Sequence, residues 1–120
     1  MIEYRHITEA QAKEVKWLKT PCVNVASGAN FIGAFDGIKL IGVVAYKMSR
    51  GTIKLCSDMV QPQYRNRGIY SKLFEMRARD ISSIQHIKEV AYCTKHSLRM
   101  YLAHGFAISK QFKNTTKVEK

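Results

Sequence analysis

A basic turn between an apolar segment and a helical segment is the stretch of this sequence best suited to chemistry. The turn consists of Arg65, Asn66, Arg67, Gly68, Ile69 and Tyr70. Backbone N–H groups in the first turn of a helix have no partner inside the helix, and the helix dipole adds positive potential where they point. Gly68 has no side chain to keep an anion away from these amides, and the arginines and Lys72 add full charges around them. The turn is therefore predicted to bind a phosphate group.

The segments on either side of the turn predict the elements that position it. Ile53 to Val60 is predicted to be a strand that stops at Pro62, because proline cannot donate to a central ladder. After Gly68, apolar residues recur at three- and four-residue intervals, which predicts a helix that covers a sheet. These residues are Tyr70, Leu73, Phe74, Ala78, Ile81 and Ile84, with Glu75, Arg77, Arg79 and Asp80 mostly on the other faces. The apolar segment Ile87 to Cys93 is the next strand, parallel to the strand before the turn because a helix connects the two.

The N-terminal part of the chain predicts an edge strand over residues 2 to 7 and then a helix. Thr8 and Gln11 form a Thr-x-x-Gln capping box for a helix from Glu9 to Lys19, which Thr20-Pro21 ends. The Ser/Gly-rich segment from Val23 to Asn30 is predicted to be a loop beside a substrate cleft.

The remaining segments complete a single predicted domain over residues 1 to 120. The predicted elements are a strand Phe31 to Phe35, a hairpin turn at Asp36-Gly37, a strand Ile38 to Lys47, a helix Lys95 to His104 ended by Gly105, and a last hairpin of Phe106 to Phe112 and Thr115 to Val118. The fold class is therefore α/β (α+β), with a mixed, mostly antiparallel sheet, a central parallel strand pair and flanking helices.

The turn and the element order resemble those of the GNAT family of acyl-CoA-dependent N-acyltransferases. The spacing from Arg65 to Tyr70 is similar to the family signature (Gln/Arg)-x-x-Gly-x-(Gly/Ala), although Tyr70 replaces its small last residue. A second family pattern, Asn-x-x-Ala-x-x-x-Tyr-x-x-x-Gly-Phe, matches at Tyr101, Gly105 and Phe106. Ser97 stands for the alanine of that pattern, and Thr94 replaces its asparagine. The resemblance covers nearly the whole chain.

The resemblance implies a donor substrate and the residues that contact it. In the family, the amides of the turn hold the pyrophosphate of coenzyme A, and the strand before the turn accompanies its pantetheine arm. The implied donor is acetyl-CoA, and no metal is implied. The implied contact residues are Met59, Val60, Arg65, Asn66, Arg67, Gly68, Ile69, Tyr70, Ser71 and Thr94.

The resemblance also implies how protons move during acyl transfer. Tyr101 occupies the position where the family often has the general acid that protonates the leaving thiolate. A general base is less evident, because Lys54 stands near the place where some members have a glutamate. Asp58 is the first candidate base and His96 the second. A water chain to bulk solvent is the alternative.

The charge of the chain bears on the acceptor amine. Twenty Lys and Arg against nine Asp and Glu give a formal net charge of +11, which repels cationic amines and attracts anions. The predicted acceptor is anionic or held by an anion, such as a DNA or RNA base, an aminoacyl-tRNA, or a lysine on an acidic or nucleic-acid-bound protein. Two alternatives remain open: the same fold with a small acceptor such as an amino acid or antibiotic, and a non-catalytic basic domain that binds nucleic acid.

The compartment and the assembly are predicted from what the sequence lacks. No apolar run is long enough for a membrane span and the N-terminus has no signal-peptide core, which predicts a cytoplasmic protein without a membrane partner. Cys22, Cys56 and Cys93 have neither disulfide nor zinc spacing and are expected to act as small apolar residues. Trp17 is predicted to lie off the inward side of the first helix, as a partly exposed tryptophan without a functional role. An exposed final strand permits a homodimer.

Overall fold

The computed structural model describes residues 1–14 and 28–120 of the chain. Seven strands form one sheet in the order β1-β2-β3-β4-β5-β7-β6. They are β1 (Ile2–Ile7), β2 (Asn30–Asp36), β3 (Lys39–Ser49), β4 (Thr52–Val60), β5 (Lys88–Cys93), β6 (Ala107–Gln111) and β7 (Thr116–Glu119). The predicted continuation of the first helix to Lys19, its stop at Thr20-Pro21, most of the predicted loop, Trp17 and Cys22 lie outside the described residues.

Among the described residues, three α-helices cover the two faces of this sheet: α1 (Glu9–Lys13), α2 (Ile69–Ser82) and α3 (Lys95–Ala103). Ala12 of α1 packs with Phe31 and Val43 on one face. On the other face α2 and α3 enclose two buried clusters, one around Leu73 and one around Phe74. In the part of the chain that the structure describes, none of the helices has the length and apolarity that a bilayer crossing requires.

The predicted fold class is confirmed, as are several local features. The capping box of α1 is present, with both the Thr8 hydroxyl and the Gln11 side chain bonded as expected. Gly105, predicted to end the last helix, follows α3 with φ 90°, a conformation that favours glycine. Gly68, which precedes α2, has φ 78° as well, which the sequence had not predicted. β4 and β5 are parallel neighbours, as the helical connection predicts.

Two details differ from the prediction. The two-residue hairpin loop is Gly37-Ile38 rather than Asp36-Gly37, because Asp36 still pairs with Lys39 and the positive φ falls on Gly37. The final strand is not exposed at a sheet edge: β7 lies between β5 and β6, so β6 forms that edge. The order of the strands along the chain does not show which strand of the last hairpin pairs with β5.

A bulge in β4 opens the sheet beside β5. Between the Val43–Met59 and Ala45–Cys56 pairs, β4 has one residue more than β3, and Ser57 has φ 58°. Beyond the Leu55–Ala91 pair, β4 and β5 make no further ladder contacts. The ends of the two parallel strands therefore diverge where the predicted site residues begin.

Candidate active site

A cleft of about 590 Å³ lies between the N-terminal ends of α2 and α3, next to the end of β4. It is lined by Asp58 and by nine of the ten predicted cofactor contacts: Met59, Val60, Arg65, Asn66, Gly68, Ile69, Tyr70, Ser71 and Thr94. His96 lines it as well. Arg67 does not line it; its guanidinium lies over the Tyr64 ring, 5.3 Å from the centroid. The structure thus brings together most residues that were selected on the sequence alone.

The amide groups at the start of α2 are open to this cleft. No side chain caps the helix and no acidic residue lies in its first turn. The first intrahelical bond here runs from the Lys72 amide to the Gly68 carbonyl at 3.1 Å. A Cβ atom built on Gly68 would meet nothing within 4 Å, so the approach to the amides is unobstructed. An uncapped helix N-terminus of this kind favours an anion.

The arginine that starts the predicted signature stabilises the turn itself. Arg65 donates from Nε to the Val60 carbonyl at 3.0 Å, which ties the turn to the end of β4. The turn therefore has a fixed position relative to the strand from which the cleft begins.

A buried ion pair lies under the cleft. Arg77 of α2 is fully buried, and it donates to both carboxylate oxygens of Asp58, at 2.6 and 2.9 Å. It also donates to the Ala45 carbonyl at 3.1 Å. Burial by itself would lower the pKa of Arg77, but the Asp58 carboxylate raises it above the usual value. Arg77 therefore stays charged and fixes the Asp58 side chain.

Two phenols share one oxygen of the same carboxylate. The hydroxyls of Tyr70 and Tyr101 donate to Asp58 Oδ2 at 2.5 and 2.7 Å, and Arg77 donates to the Tyr101 oxygen at 3.2 Å. Burial, followed by the charge of Asp58, raises the pKa of Tyr70. Burial also raises the pKa of Tyr101 well above its usual value, although Arg77 acts in the opposite direction. Both phenols are therefore neutral at physiological pH.

A second, smaller cavity of about 40 Å³ lies where β4 and β5 diverge. Tyr101, Cys56 and Tyr92 line it. It shares Asp58, Thr94 and Ser97 with the large cleft, so the two cavities meet beside the buried carboxylate. Tyr101 contacts this smaller cavity, whereas Tyr70 contacts the larger one.

Arg77 is a site residue that the sequence prediction places wrongly, on the polar faces of its helix. A signal was present: Arg77 lies three residues after Phe74 and four before Ile81, on the same inward stripe. Ala78, which was predicted to face inward, is exposed. An arginine at a core position needs a buried acid to pair with, and Asp58 meets that need.

A known family model covers the residues of this site. The sequence model described as the acetyltransferase (GNAT) family matches residues 3–106. The chain belongs to the GNAT acetyltransferase family. The predicted family is confirmed, and the predicted enzyme class, N-acetyltransferase, is that of the family. The search of curated proteins found no match.

Solved GNAT structures share the fold of this chain. A GNAT family acetyltransferase from Streptococcus pneumoniae has a TM-score of 0.78 at 15% identity, with 100% of this chain and 99% of that chain covered. One from Elizabethkingia anophelis with acetyl-CoA bound has a TM-score of 0.73 at 13% identity, with 98% and 96% covered. The PaiA N-acetyltransferase from Thermoplasma acidophilum, in complex with coenzyme A, has a TM-score of 0.66 at 20% identity. That match covers 75% of this chain and 58% of the other, less than two thirds of its length.

Proposed function

We propose that this GNAT chain is an N-acetyltransferase that binds acetyl-CoA in the cleft between α2 and α3. The observation that carries the proposal is the uncapped N-terminus of α2, which opens into a cleft large enough for a small-molecule ligand. The diphosphate of coenzyme A supplies the negative charge that this helix end favours. The GNAT structures from Elizabethkingia and Thermoplasma contain acetyl-CoA and coenzyme A, respectively, which agrees with this choice of donor.

The reaction transfers the acetyl group directly to an amine. The amine nitrogen forms a bond to the thioester carbonyl carbon, the C–S bond breaks, and coenzyme A leaves as a thiolate that takes up a proton. The amine loses one proton in the same sequence. Negative charge develops on the carbonyl oxygen, so a backbone amide near it would lower the barrier. We assign that contact to the end of β4, at Met59 and Val60, which line the cleft.

Tyr101 is our candidate for the proton donor. Its phenol is neutral because burial raises its pKa, so it holds the proton that a general acid must give. Once the proton has moved, the Arg77 guanidinium 3.2 Å away stabilises the phenolate. The same raised pKa makes the phenol a weak acid, so we expect its contribution to lie at the lower end of the usual range, about a hundredfold.

The contacts of Asp58 favour a role other than that of the predicted base. Both of its oxygens bond to Arg77, and Oδ2 also accepts two phenol protons. Four hydrogen-bond donors therefore already occupy this carboxylate. We therefore propose that Asp58 orients Tyr101 and that the proton of the amine goes to His96, which lines the cleft, or to water.

The acceptor that the charge favours is anionic or carried by an anion, because the chain has a formal net charge of +11. Nucleic-acid bases, aminoacyl-tRNA and lysines of nucleic-acid-bound proteins all meet this condition. A cytoplasmic location and a homodimer stay predictions.

Calorimetric titration with acetyl-CoA and coenzyme A tests the donor site, with one variant and one matched control. Gly68→Asp puts a carboxylate beside the open amides of α2. Gly37→Asp makes the same change at another glycine of positive φ, 64°, that also has no atom within 4 Å of a built Cβ. We expect Gly68→Asp to weaken binding at least tenfold, about 1.4 kcal/mol, and Gly37→Asp to leave it unchanged.

Equal loss in the two variants would show that strain rather than the phosphate site is responsible. Absence of binding by the wild-type protein at low salt would overturn the proposal. Tyr101→Phe then tests the chemistry: we expect turnover to fall about a hundredfold or more, with acetyl-CoA affinity preserved. Unchanged turnover would remove Tyr101 as the proton donor.

A further inference from the structure

One face of the sheet carries a group of lysine and aromatic side chains that the acetyl-CoA cleft does not use. It lies on the side opposite α2 and α3 and extends over β4, β5, β7 and β6. We define this lysine–aromatic face by Lys54, Lys88, Tyr92, Lys110, Phe112 and Lys117. Strand register places them together: Tyr92 pairs with Lys117, Lys117 with Lys110, and Lys54 with Val90, whose next partner is Glu119.

Two exposed aromatic rings form the centre of this face. Tyr92 and Phe112 are 48% and 46% exposed, and their ring centroids are 6.2 Å apart. Large aromatic side chains exposed to this degree leave ring surface available to a partner. Flat aromatic or heteroaromatic groups are the ligands that stack on such surface.

Ammonium groups lie over the two rings. The Nζ atoms of Lys54 and Lys117 lie 5.5 and 5.9 Å from the Tyr92 centroid, and that of Lys110 lies 5.2 Å from the Phe112 centroid. Among the described residues, Glu119 is the acid that pairs with lysines of this face, at 3.6 Å from Lys88 and 3.2 Å from Lys117. Four lysines against one glutamate leave the face with an excess of positive charge.

The lysine–aromatic face leads to the proposed reaction centre. Tyr92 lines the small cavity between β4 and β5, together with Asp58 and Tyr101. Its volume of about 40 Å³ is enough for one water molecule or an amino group. An amine carried by a partner on this face would therefore enter the small cavity beside Asp58 and Tyr101, residues of the proposed reaction centre.

We propose that the lysine–aromatic face binds single-stranded nucleic acid, which carries the acceptor amine. Bases stack on Tyr92 and Phe112 while Lys54, Lys110 and Lys117 contact phosphates, the combination typical of single-strand binding. A duplex keeps its base faces stacked inside and cannot use the two rings in this way. An acidic peptide offers charge to the lysines but no bases to the rings. The inference rests on the proposed acetyl-transfer function and specifies its acceptor class.

Fluorescence anisotropy with three labelled probes tests this inference: a ten-nucleotide oligothymidylate, an abasic strand with the same phosphates, and a ten-residue oligoglutamate. Coenzyme A is present throughout, so that the donor cleft is filled. We expect oligothymidylate to bind at least tenfold more tightly than either other probe, because stacking adds to the phosphate contacts. Tyr92→Leu should remove about tenfold of oligothymidylate affinity and leave abasic binding unchanged.

The phosphate contacts are tested by salt dependence. Lys54→Gln/Lys110→Gln should reduce the slope of log affinity against log salt by about 1.4, since each phosphate contact to a single strand contributes about 0.7. Arg79→Gln removes an exposed charge from α2, on the other side of the sheet, and should leave the slope unchanged.

Three results would overturn the inference. The first is equal binding of all three probes. The second is an equal change in the salt slope for Arg79→Gln and for Lys54→Gln/Lys110→Gln, and the third is failure of the wild-type protein to bind oligothymidylate. Calorimetry with acetyl-CoA on the same samples separates this failure from failure of the donor site. Retained acetyl-CoA binding with no oligonucleotide binding would refute the acceptor alone, and loss of both would refute the proposed function as well.

Discussion

Replacement of Arg77 by methionine should destabilise the protein strongly, because the change leaves the Asp58 carboxylate buried without its cation. The Arg77 side chain is fully buried and that of Asp58 is 9% exposed. The substitution removes two charged hydrogen bonds, of 2.6 and 2.9 Å, worth about 1.5–3 kcal/mol each. Breaking a buried pair by removing one partner costs about 3–5 kcal/mol, which agrees with that sum.

The assay is urea unfolding of four proteins: wild type, Arg77→Met, Asp58→Asn and the double variant. A loss of about 3–5 kcal/mol corresponds to a fall in Tm of roughly 12–20 °C for a domain of this size. The double variant removes both charges, so we expect it to lie within about 2 kcal/mol of wild type. The coupling energy between the two sites should then be at least about 2 kcal/mol.

Arg79→Met is the matched control, since it makes the same substitution at an exposed position of α2. We expect it to change stability by less than about 0.5 kcal/mol. A loss below about 1 kcal/mol for Arg77→Met, or additive losses in the double variant, would refute the description of a buried, coupled pair. If Arg77→Met does not fold, a folded double variant still demonstrates the coupling.

Three further measurements test other parts of the structure. Because the folded-state pKa values of Tyr70 and Tyr101 are raised, their stabilisation is present below the unfolded pKa of about 10 and is lost as pH rises above it. The free energy of unfolding, measured with urea from pH 9 to 11, should therefore fall more steeply for wild type than for the double variant Tyr70→Phe/Tyr101→Phe. The expected difference in slope is about 2.7 kcal/mol per pH unit above 10. Parallel curves would contradict the burial of the phenols. Gly68→Ala should cost about 1–2 kcal/mol through its positive φ alone, and no cost in urea unfolding would mean that this backbone conformation is not required. Gly42→Ala should cost about 1 kcal/mol or more, because the new Cβ would lie 3.2 Å from Leu73 Cδ1 and 3.3 Å from Val60 Cγ2 in a packed core; a more stable variant in the same assay would show that these side chains can move aside.

The sequence alone determined the local features of this protein. Capping at Thr8, the glycine that ends α3 at Gly105 and the apolar stripe of α2 depend on residues close together in the chain. The parallel pairing of β4 and β5 followed from the helix between them, because a helical crossover carries the chain back to the end from which a parallel neighbour starts. The turn before α2 was predictable because its amides and its glycine lie within a few residues of one another.

Only the tertiary structure decided which distant side chains meet. The bulge at Ser57 and the packing of α2 bring Tyr70, Arg77 and Tyr101 to the carboxylate of Asp58. The substitution of Tyr70 for a small residue could be noticed in the sequence, but its hydrogen bond to Asp58 could not. The position of β7 between β5 and β6 could not be predicted either, because the orders β5-β6-β7 and β5-β7-β6 have the same local sequence pattern. Contacts between residues far apart in sequence depend on strand register and packing, and no local sequence pattern specifies these.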